Sequence, residues 1–155
     1  MFAFGKVAID PREIFFSSSL SLAFVNIKPL VPGHVLVVPK RSVERFSSLE
    51  IKEVHDLFES VQKVSRVIEK VYSATSMTIA IQVRLFLIKY LDGLDAGQTV
   101  SHVHVHIVPR VKGDWPNNDK IYDDLKNKGL DDEHRVARTI DEMELEAILL
   151  KKHFE

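Results

Sequence analysis

Hydrophobic positions change period several times along this chain of 155 residues, and each change marks an element. Residues 102–107 alternate His102, His104 and His106 with Val103, Val105 and Ile107. That is the period-two signature of a half-buried strand, whose successive side chains point to opposite faces. Val103, Val105 and Ile107 then enter a core, and the three histidines share the other face. At a rise of about 3.3 Å per residue the histidine Cα atoms stand roughly 6.6 Å apart. Residues 20–25 (LSLAFV) and 34–38 (HVLVV) read as two more strands, joined through the turn chemistry of Lys28-Pro29 and Pro32-Gly33. So short a connection makes them antiparallel. Shorter strands at residues 2–4 and 14–16 flank the Asp10-Pro11 break, and residues 77–82 (MTIAIQ) are placed to pair with the histidine strand.

Between residues 47 and 72 the period becomes three to four, through Ile51, Val54, Leu57, Phe58, Val61, Val64, Ile68 and Val71. Ser47 with Glu50 three residues on is a candidate capping box. The spacing predicts a long amphipathic helix packed on the sheet, with Lys52, Glu53, Lys63, Arg66 and Glu69 toward water. Thr139 and Glu142 repeat the capping pattern ahead of a short helix through Met143, Leu145, Ile148 and Leu149. Residues 112–138 are polar and charged, which predicts a mobile loop. The fold class is therefore α+β: an antiparallel sheet of about five strands with one long helix and a C-terminal helix. With no internal repeat and no low-complexity linker, residues 1–155 read as one domain.

Composition narrows the function classes. Hydrophobic residues make up 45% and charged residues 28%, ordinary for a globular domain. A formal charge of −1 leaves no broad basic surface for nucleic acid, while a local pocket for a small anion stays open. There is no cysteine, hence no disulfide framework and no thiolate zinc site. The opening MFAFGKVAIDPRE lacks the apolar core of a signal peptide, and no run approaches the roughly 20 apolar residues of a membrane span. The expectation is a cytoplasmic or nuclear location, with neither membrane nor nucleic acid as a partner.

Three alternating imidazoles admit three readings. They can decorate a solvated strand face, ligate a zinc ion together with water, or carry out phosphoryl or nucleotidyl transfer with His104 as nucleophile. The neighbours favour the third. Gly97, Gln98, Thr99 and Ser101 precede the strand and offer backbone amides and short polar groups where a phosphate would sit. His102 and His106 flank the central ring as donors.

The motif HVHVHIV at 102–108, with PGHVLVVPKR at 32–41, resembles the histidine-triad (HIT) family of nucleotide hydrolases and transferases. More narrowly, residues 24–49 (FVNIKPLVPGHVLVVPKRSVERFSSL), 95–115 (DAGQTVSHVHVHIVPRVKGDW) and 118–125 (NDKIYDDL) resemble its fragile-histidine-triad branch of dinucleoside triphosphate hydrolases. Trp115-Pro116 is followed by Asn117-Asn118, unlike the Trp-Pro-Pro-Gly ending of the phosphoramidase branch.

The resemblance implies a HIT-like fold and a two-step hydrolysis of diadenosine triphosphate. His104, roughly three quarters neutral at pH 7 for an ordinary pKa of about 6.5, would attack the α-phosphorus. A nucleotidyl-histidine intermediate would form and water would release AMP. His106 would donate to phosphate oxygens, and His102 and His34 would orient the nucleophile. Gln98 and the amides of Thr99 and Val100, after Gly97, would stabilise charge at phosphorus. Asn26 falls where the family binds ribose hydroxyls and Gln82 where it touches polyphosphate, while Phe4 and Leu36 would wall the adenine. Mg²⁺ or Mn²⁺ would ride on the substrate phosphates. Two copies would join their sheets as a homodimer. The alternatives are a nucleoside phosphoramidate hydrolase, and a nucleotide-responsive binding module with slow turnover.

Bland readings stand beside these. Asn26 can simply cap a turn before Lys28-Pro29. His55, His134 and His153 read as solvated, and Tyr122 as either an ordinary loop tyrosine or a phosphorylation site. Two departures from the family stand out. Val7 replaces a polar residue near the substrate. Residues 83–91 (VRLFLIKYL) have no counterpart, and deleting them would join Ile81-Gln82 to Asp92-Gly93. They are either a lineage-specific hairpin extension or a translated short intron, which the transcript sequence decides.

Overall fold

In the computed structural model, which describes residues 2–81, 100–121, 124 and 136–154, the apolar runs become strands and the amphipathic segments helices. In chain order these are β1 (Phe2–Phe4), β2 (Val7–Ile9), β3 (Ile14–Ser17), β4 (Ser21–Val25), β5 (Val35–Pro39), α1 (Ile51–Val71), β6 (Ser76–Ile81), β7 (Val105–Arg110) and α2 (Ile140–Lys151). One sheet runs β3-β4-β5-β7-β6 with every neighbouring pair antiparallel. The chain leaves β5, crosses through α1 and β6, and returns to insert β7 between them. Leu36 and Ala80 thereby flank His106 on either side.

Strands β3 and β6 at the edges of the described sheet are partly exposed, while the three central strands, β4, β5 and β7, are buried on both faces. On one, Ala23, Val25, Val35, Val37, Val103, Val105 and Ile107 pack on Leu57, Val61, Val64 and Ile68 of α1 and on Met143, Ala147 and Leu150 of α2. On the other, Leu22, Phe24, Leu36 and Val38 meet Phe4 and Ile9 of the β1–β2 hairpin. This corrects the half-buried strand read from the alternation. The histidine face is closed as well, and β7 begins only at Val105, so His102 and His104 precede it.

The hairpin was not legible as such. β1 matches the strand read at residues 2–4, but β2, only three residues long and joined to it by Gly5-Lys6, leaves no period to read. Gly5 has φ +60, and a Cβ there would lie 2.6 Å from Cγ1 of Val100. Both the left-handed backbone and the close approach require glycine.

Helix α1 starts at Ile51 with Glu50 as N-cap, and Ser47 sits instead in a 3-10 turn, Phe46–Ser48. The Glu50 N–H donates to Oε2 of Glu53 at 2.8 Å. Arg41 clamps the same carboxylate through Nε at 2.8 Å and Nη2 at 2.6 Å. Glu53 is thus buried rather than solvated, and the Arg41 bond is the main reason its pKa falls to about 2. Helix α2 keeps its cap, Thr139 exchanging hydrogen bonds with Glu142, but of the apolar positions read for it only Met143 is buried, with Ala147 and Leu150, while Leu145, Ile148 and Leu149 are exposed.

The expected loop 112–138 is tied down over its first part. Arg110 pairs with Asp114 at 2.7 Å, reaches Asn118 at 3.0 Å and stacks 4.6 Å over Trp115. Trp115 Nε1 donates to Asp124 at 2.7 Å, and Ile121 is fully buried against Val108. Polar composition concealed these partners because each is a specific pair rather than a period. Residues 83–91, Tyr122 and His134 lie outside the described residues.

Candidate active site

The triad sits where the start of β7, the start of β5 and the β1–β2 hairpin converge. His102, His104, His106 and His34 are each no more than 2% exposed, so every ring nitrogen is in a setting where its proton matters. Donor and acceptor roles follow from the bonded groups.

Leu30 N–H donates to Nδ1 of His34 at 3.1 Å, which fixes that nitrogen as an acceptor. Nε2 of His34 therefore carries the proton and donates to Nδ1 of His106 at 2.8 Å. His106 in turn keeps its own proton on Nε2, as a donor.

His104 follows the opposite rule. Its Nδ1 lies 2.7 Å from the carbonyl oxygen of His102, and a carbonyl only accepts, so Nδ1 is protonated and Nε2 holds the lone pair. Burial pushes the pKa of this ring down to about 4, and the bond to the His102 carbonyl only partly opposes it. The ring is neutral throughout the physiological range, more completely than its ordinary pKa implies. Phe4 sets its ring edge-on to His104, centroids 5.1 Å apart at 88°, and helps exclude water.

The His102 ring has a different task. Its Nε2 donates to the carbonyl of Pro39 at 2.9 Å, and its Nδ1 accepts from Gly5 N–H at 3.4 Å. Burial lowers its pKa also. It therefore orients His104 through its backbone while its ring ties the hairpin to the end of β5. His34 acts on His106, so the two residues foreseen as steering the nucleophile divide between two rings.

Beside the triad lies a cleft of about 270 Å³ between the hairpin and the sheet, lined by Phe4, Val7, Phe24, Asn26, Leu36 and Val100 among others. Its volume lies just below the roughly 300–1,000 Å³ usual for small-molecule sites. Phe4 and Leu36, expected as walls for the adenine, both line this cleft, and Val7 does so at 62% exposure. Asn26 is buried at its inner end. Its Oδ1 accepts from Lys28 N–H at 2.9 Å; its Nδ2 lies 3.4 Å from His34 Nε2, a contact between two donors rather than a hydrogen bond. The turn-capping reading of Asn26 and its place in the cleft therefore coexist.

Val100 packs on Gly5, and its carbonyl accepts from His102 N–H at 2.8 Å. Gln82, Gly97, Gln98 and Thr99 lie outside the described residues. Among the described residues no group of three or more His, Cys, Asp or Glu side chains is disposed to hold a metal ion, and no helix is long and apolar enough to cross a membrane.

Sequence reasoning missed Arg138 and Glu146, which bond to the loop carrying Asn26 and His34, and Tyr72, whose hydroxyl donates to Glu146 and whose ring packs on Gly33 of that loop. Their sequence separations from it exceed any local pattern.

A family model described as the HIT domain matches residues 9–113. The bifunctional bis(5'-adenosyl)-triphosphatase/adenylylsulfatase of Arabidopsis thaliana is 45% identical over 99% of this chain and 84% of its own. The asymmetrical bis(5'-nucleosyl)-tetraphosphatase of Schizosaccharomyces pombe is 45% identical over 97% and 93%. Among solved structures, Plasmodium falciparum diadenosine triphosphate hydrolase in complex with cyclomarin A matches with a TM-score of 0.76 and 32% identity, over 99% of this chain and 83% of that one.

Proposed function

The chain belongs to the HIT domain family, and from that premise we propose that it hydrolyses diadenosine triphosphate to AMP and ADP through a nucleotidyl-histidine intermediate. The observation that carries this reading is the pair of opposite tautomers in the triad. His104 offers a lone pair at Nε2, and His106 offers a proton at Nε2. A nucleophile beside a donor is what attack on a phosphate needs.

Nε2 of His104 attacks the α-phosphorus as the bond to the bridging oxygen breaks, and that electron pair leaves with ADP. The ring becomes cationic, and its Nδ1–H stays bonded to the His102 carbonyl, which stabilises the charge. Water then attacks phosphorus, the P–N pair returns to Nε2, and AMP departs with the oxygen of water, the protons of water passing to its phosphate and to solvent. His106 donates to a non-bridging oxygen in both steps, its proton kept on Nε2 by His34. Asn26 is assigned to the ribose, and Phe4 and Leu36 to the base. Gln82, Gly97, Gln98, Thr99 and Val100 are assigned to the polyphosphate on the family pattern alone. A divalent cation, Mg²⁺ or Mn²⁺, arrives on the substrate and neutralises phosphate charge.

Two copies are proposed to join through β6. Among the described residues it is an edge strand, six residues long, with Ile79 at 48% exposure. The opposite edge, β3, is shorter and interrupted by a bulge, a feature that blunts edges.

The test is intact-mass analysis after brief mixing with diadenosine triphosphate and a quench that avoids acid. An adenylyl adduct on the wild type, absent from His104→Gly, supports the mechanism. Absence of adduct and AMP from folded protein rejects it in favour of the binding-module reading. Parallel assays with diadenosine tetraphosphate and adenosine phosphoramidate separate the enzyme readings.

A further inference from the structure

The connection between β4 and β5, residues 26–34, carries three groups of the site: Asn26, the Leu30 amide and His34. Both of its ends are held by one chain of polar groups whose side chains do not line the cleft. At one end, Nε and Nη2 of Arg138 donate to the carbonyl of Asn26, the former at 3.0 Å, and Arg138 N–H donates to the carbonyl of Ile27 at 2.9 Å. At the other, Gly33 N–H donates to Oε1 of Glu146 at 3.0 Å. Arg138 and Glu146 close the circuit through a 2.6 Å ion pair whose side chains are only 20% and 11% exposed.

Tyr72, the C-cap of α1, completes it. Its hydroxyl donates to the same Oε1 of Glu146 at 2.5 Å. Burial, then this bond, raises its pKa, so it remains a donor. Its ring lies directly against Gly33, where a Cβ would be 2.6 Å from ring carbons and where φ is +84. Glu146 thus accepts from the residue immediately before His34, while its partner Arg138 grips the backbone of Asn26. The loop cannot shift along the sheet without breaking one of these bonds in a largely buried setting, where unpaired polar groups are costly.

We propose that Glu146, with Arg138 and Tyr72, is a positioning residue that holds the 26–34 loop in the register at which the Leu30 amide dictates the His34 tautomer and so the proton on His106. The consequence for turnover rests on the hydrolase reading above; the consequence for the imidazoles does not. Glu146 touches neither the triad nor the cleft. It acts on the proton arrangement through Gly33 and His34.

The experiment uses Glu146→Gln and the gentler Tyr72→Phe, each read two ways. Long-range proton–nitrogen NMR of the imidazoles reports the tautomers of His34 and His106 without substrate. Steady-state hydrolysis of diadenosine triphosphate reports kcat and KM. The expected result is a His34–His106 pair that loses its single tautomer in Glu146→Gln. With it goes a fall in kcat/KM of about 10-fold or more, the scale at which small displacements act on positioned groups. Tyr72→Phe is expected to move the same signals less.

A purely structural brace predicts otherwise: a lower melting temperature with unchanged imidazole signals and kinetics below it, and that result overturns the proposal. If Glu146→Gln does not fold, unchanged imidazole signals in Tyr72→Phe overturn it instead. If the wild type turns over no dinucleoside polyphosphate, the hydrolase reading fails, and the NMR comparison still decides the positioning role.

Discussion

Nε2 of His34 donates to Nδ1 of His106 across 2.8 Å, and the direction of that bond originates in a main-chain amide, Leu30 N–H on Nδ1 of His34. A backbone donor cannot reverse itself, so the proton order runs one way from Leu30 to the outer nitrogen of His106. Replacing His34 by Ala removes the donor and lets the His106 proton sit on either nitrogen. Loss of a comparable orienting partner lowers activity by about 10- to 100-fold. Steady-state hydrolysis should fall in that range with His104 still adenylylated in mass spectra, and an unchanged rate would show that the relay is decorative.

His104→Asn removes the proposed nucleophile while keeping a polar group of similar reach. AMP formation should drop by at least about 10³-fold, as expected when a covalent step is abolished, while affinity for a non-hydrolysed dinucleotide stays within a few-fold. A variant that still forms AMP at the wild-type rate would place the chemistry elsewhere.

The low pKa of His104 has a stability consequence. Between pH 6.5 and about 4 the unfolded chain takes up a proton at this position that the folded chain refuses. Acidification through that window therefore favours unfolding, by on the order of 3 kcal/mol in total. Glu53, whose folded pKa is about 2, adds a further loss that begins only below its ordinary range near 4.5. Urea unfolding of wild type and His104→Asn at pH 7 and pH 5 separates the two: the wild type should lose more stability than the variant. Parallel losses would mean that the ring is not shielded as its surroundings indicate.

The start of α1 distinguishes a pattern from a bond. Glu53→Ala deletes the acceptor for Glu50 N–H and for Arg41. It should cost about 1–2 kcal/mol, a figure held down because Arg41 is half exposed. Ser47→Ala, at the position the sequence pattern favoured, should stay within about 0.5 kcal/mol. Equal effects in thermal unfolding would restore Ser47 as the cap.

Periodicity made the frame legible. Val103, Val105 and Ile107 do enter one core, the runs at 20–25 and 34–38 do pair, and Thr139 with Glu142 does open a helix. The family motif pointed to the triad and to His34 and Asn26. What stayed hidden depends on single bonds that leave no repeat in the chain. The tautomer of His106 is decided by an amide 76 residues away in sequence, from residue 30 to residue 106, and the carbonyl under His104 belongs to its own neighbour His102. The burial of the histidine face also escaped, because the hairpin covering it is built from three-residue strands.

Phe4 joins the two halves of the site, since the ring that walls the cleft also shields His104. Those tasks can be separated by size. Phe4→Leu keeps an apolar side chain over the imidazole, so its profile of kcat/KM against pH should remain flat from pH 8 down to 5.5 while KM rises through the loss of an aromatic wall for the base. Phe4→Ala opens the position to water and weakens the desolvation that holds the His104 pKa down. Its profile should acquire an acidic limb approaching the ordinary histidine value of about 6.5, because protonated Nε2 cannot attack. Folding is checked by circular dichroism, since a buried Phe→Ala exchange costs about 3–5 kcal/mol. An acidic limb in the alanine variant alone ties the neutrality of the nucleophile to the hairpin that carries Phe4. Flat profiles in both folded variants would assign that neutrality to the sheet and helices beneath.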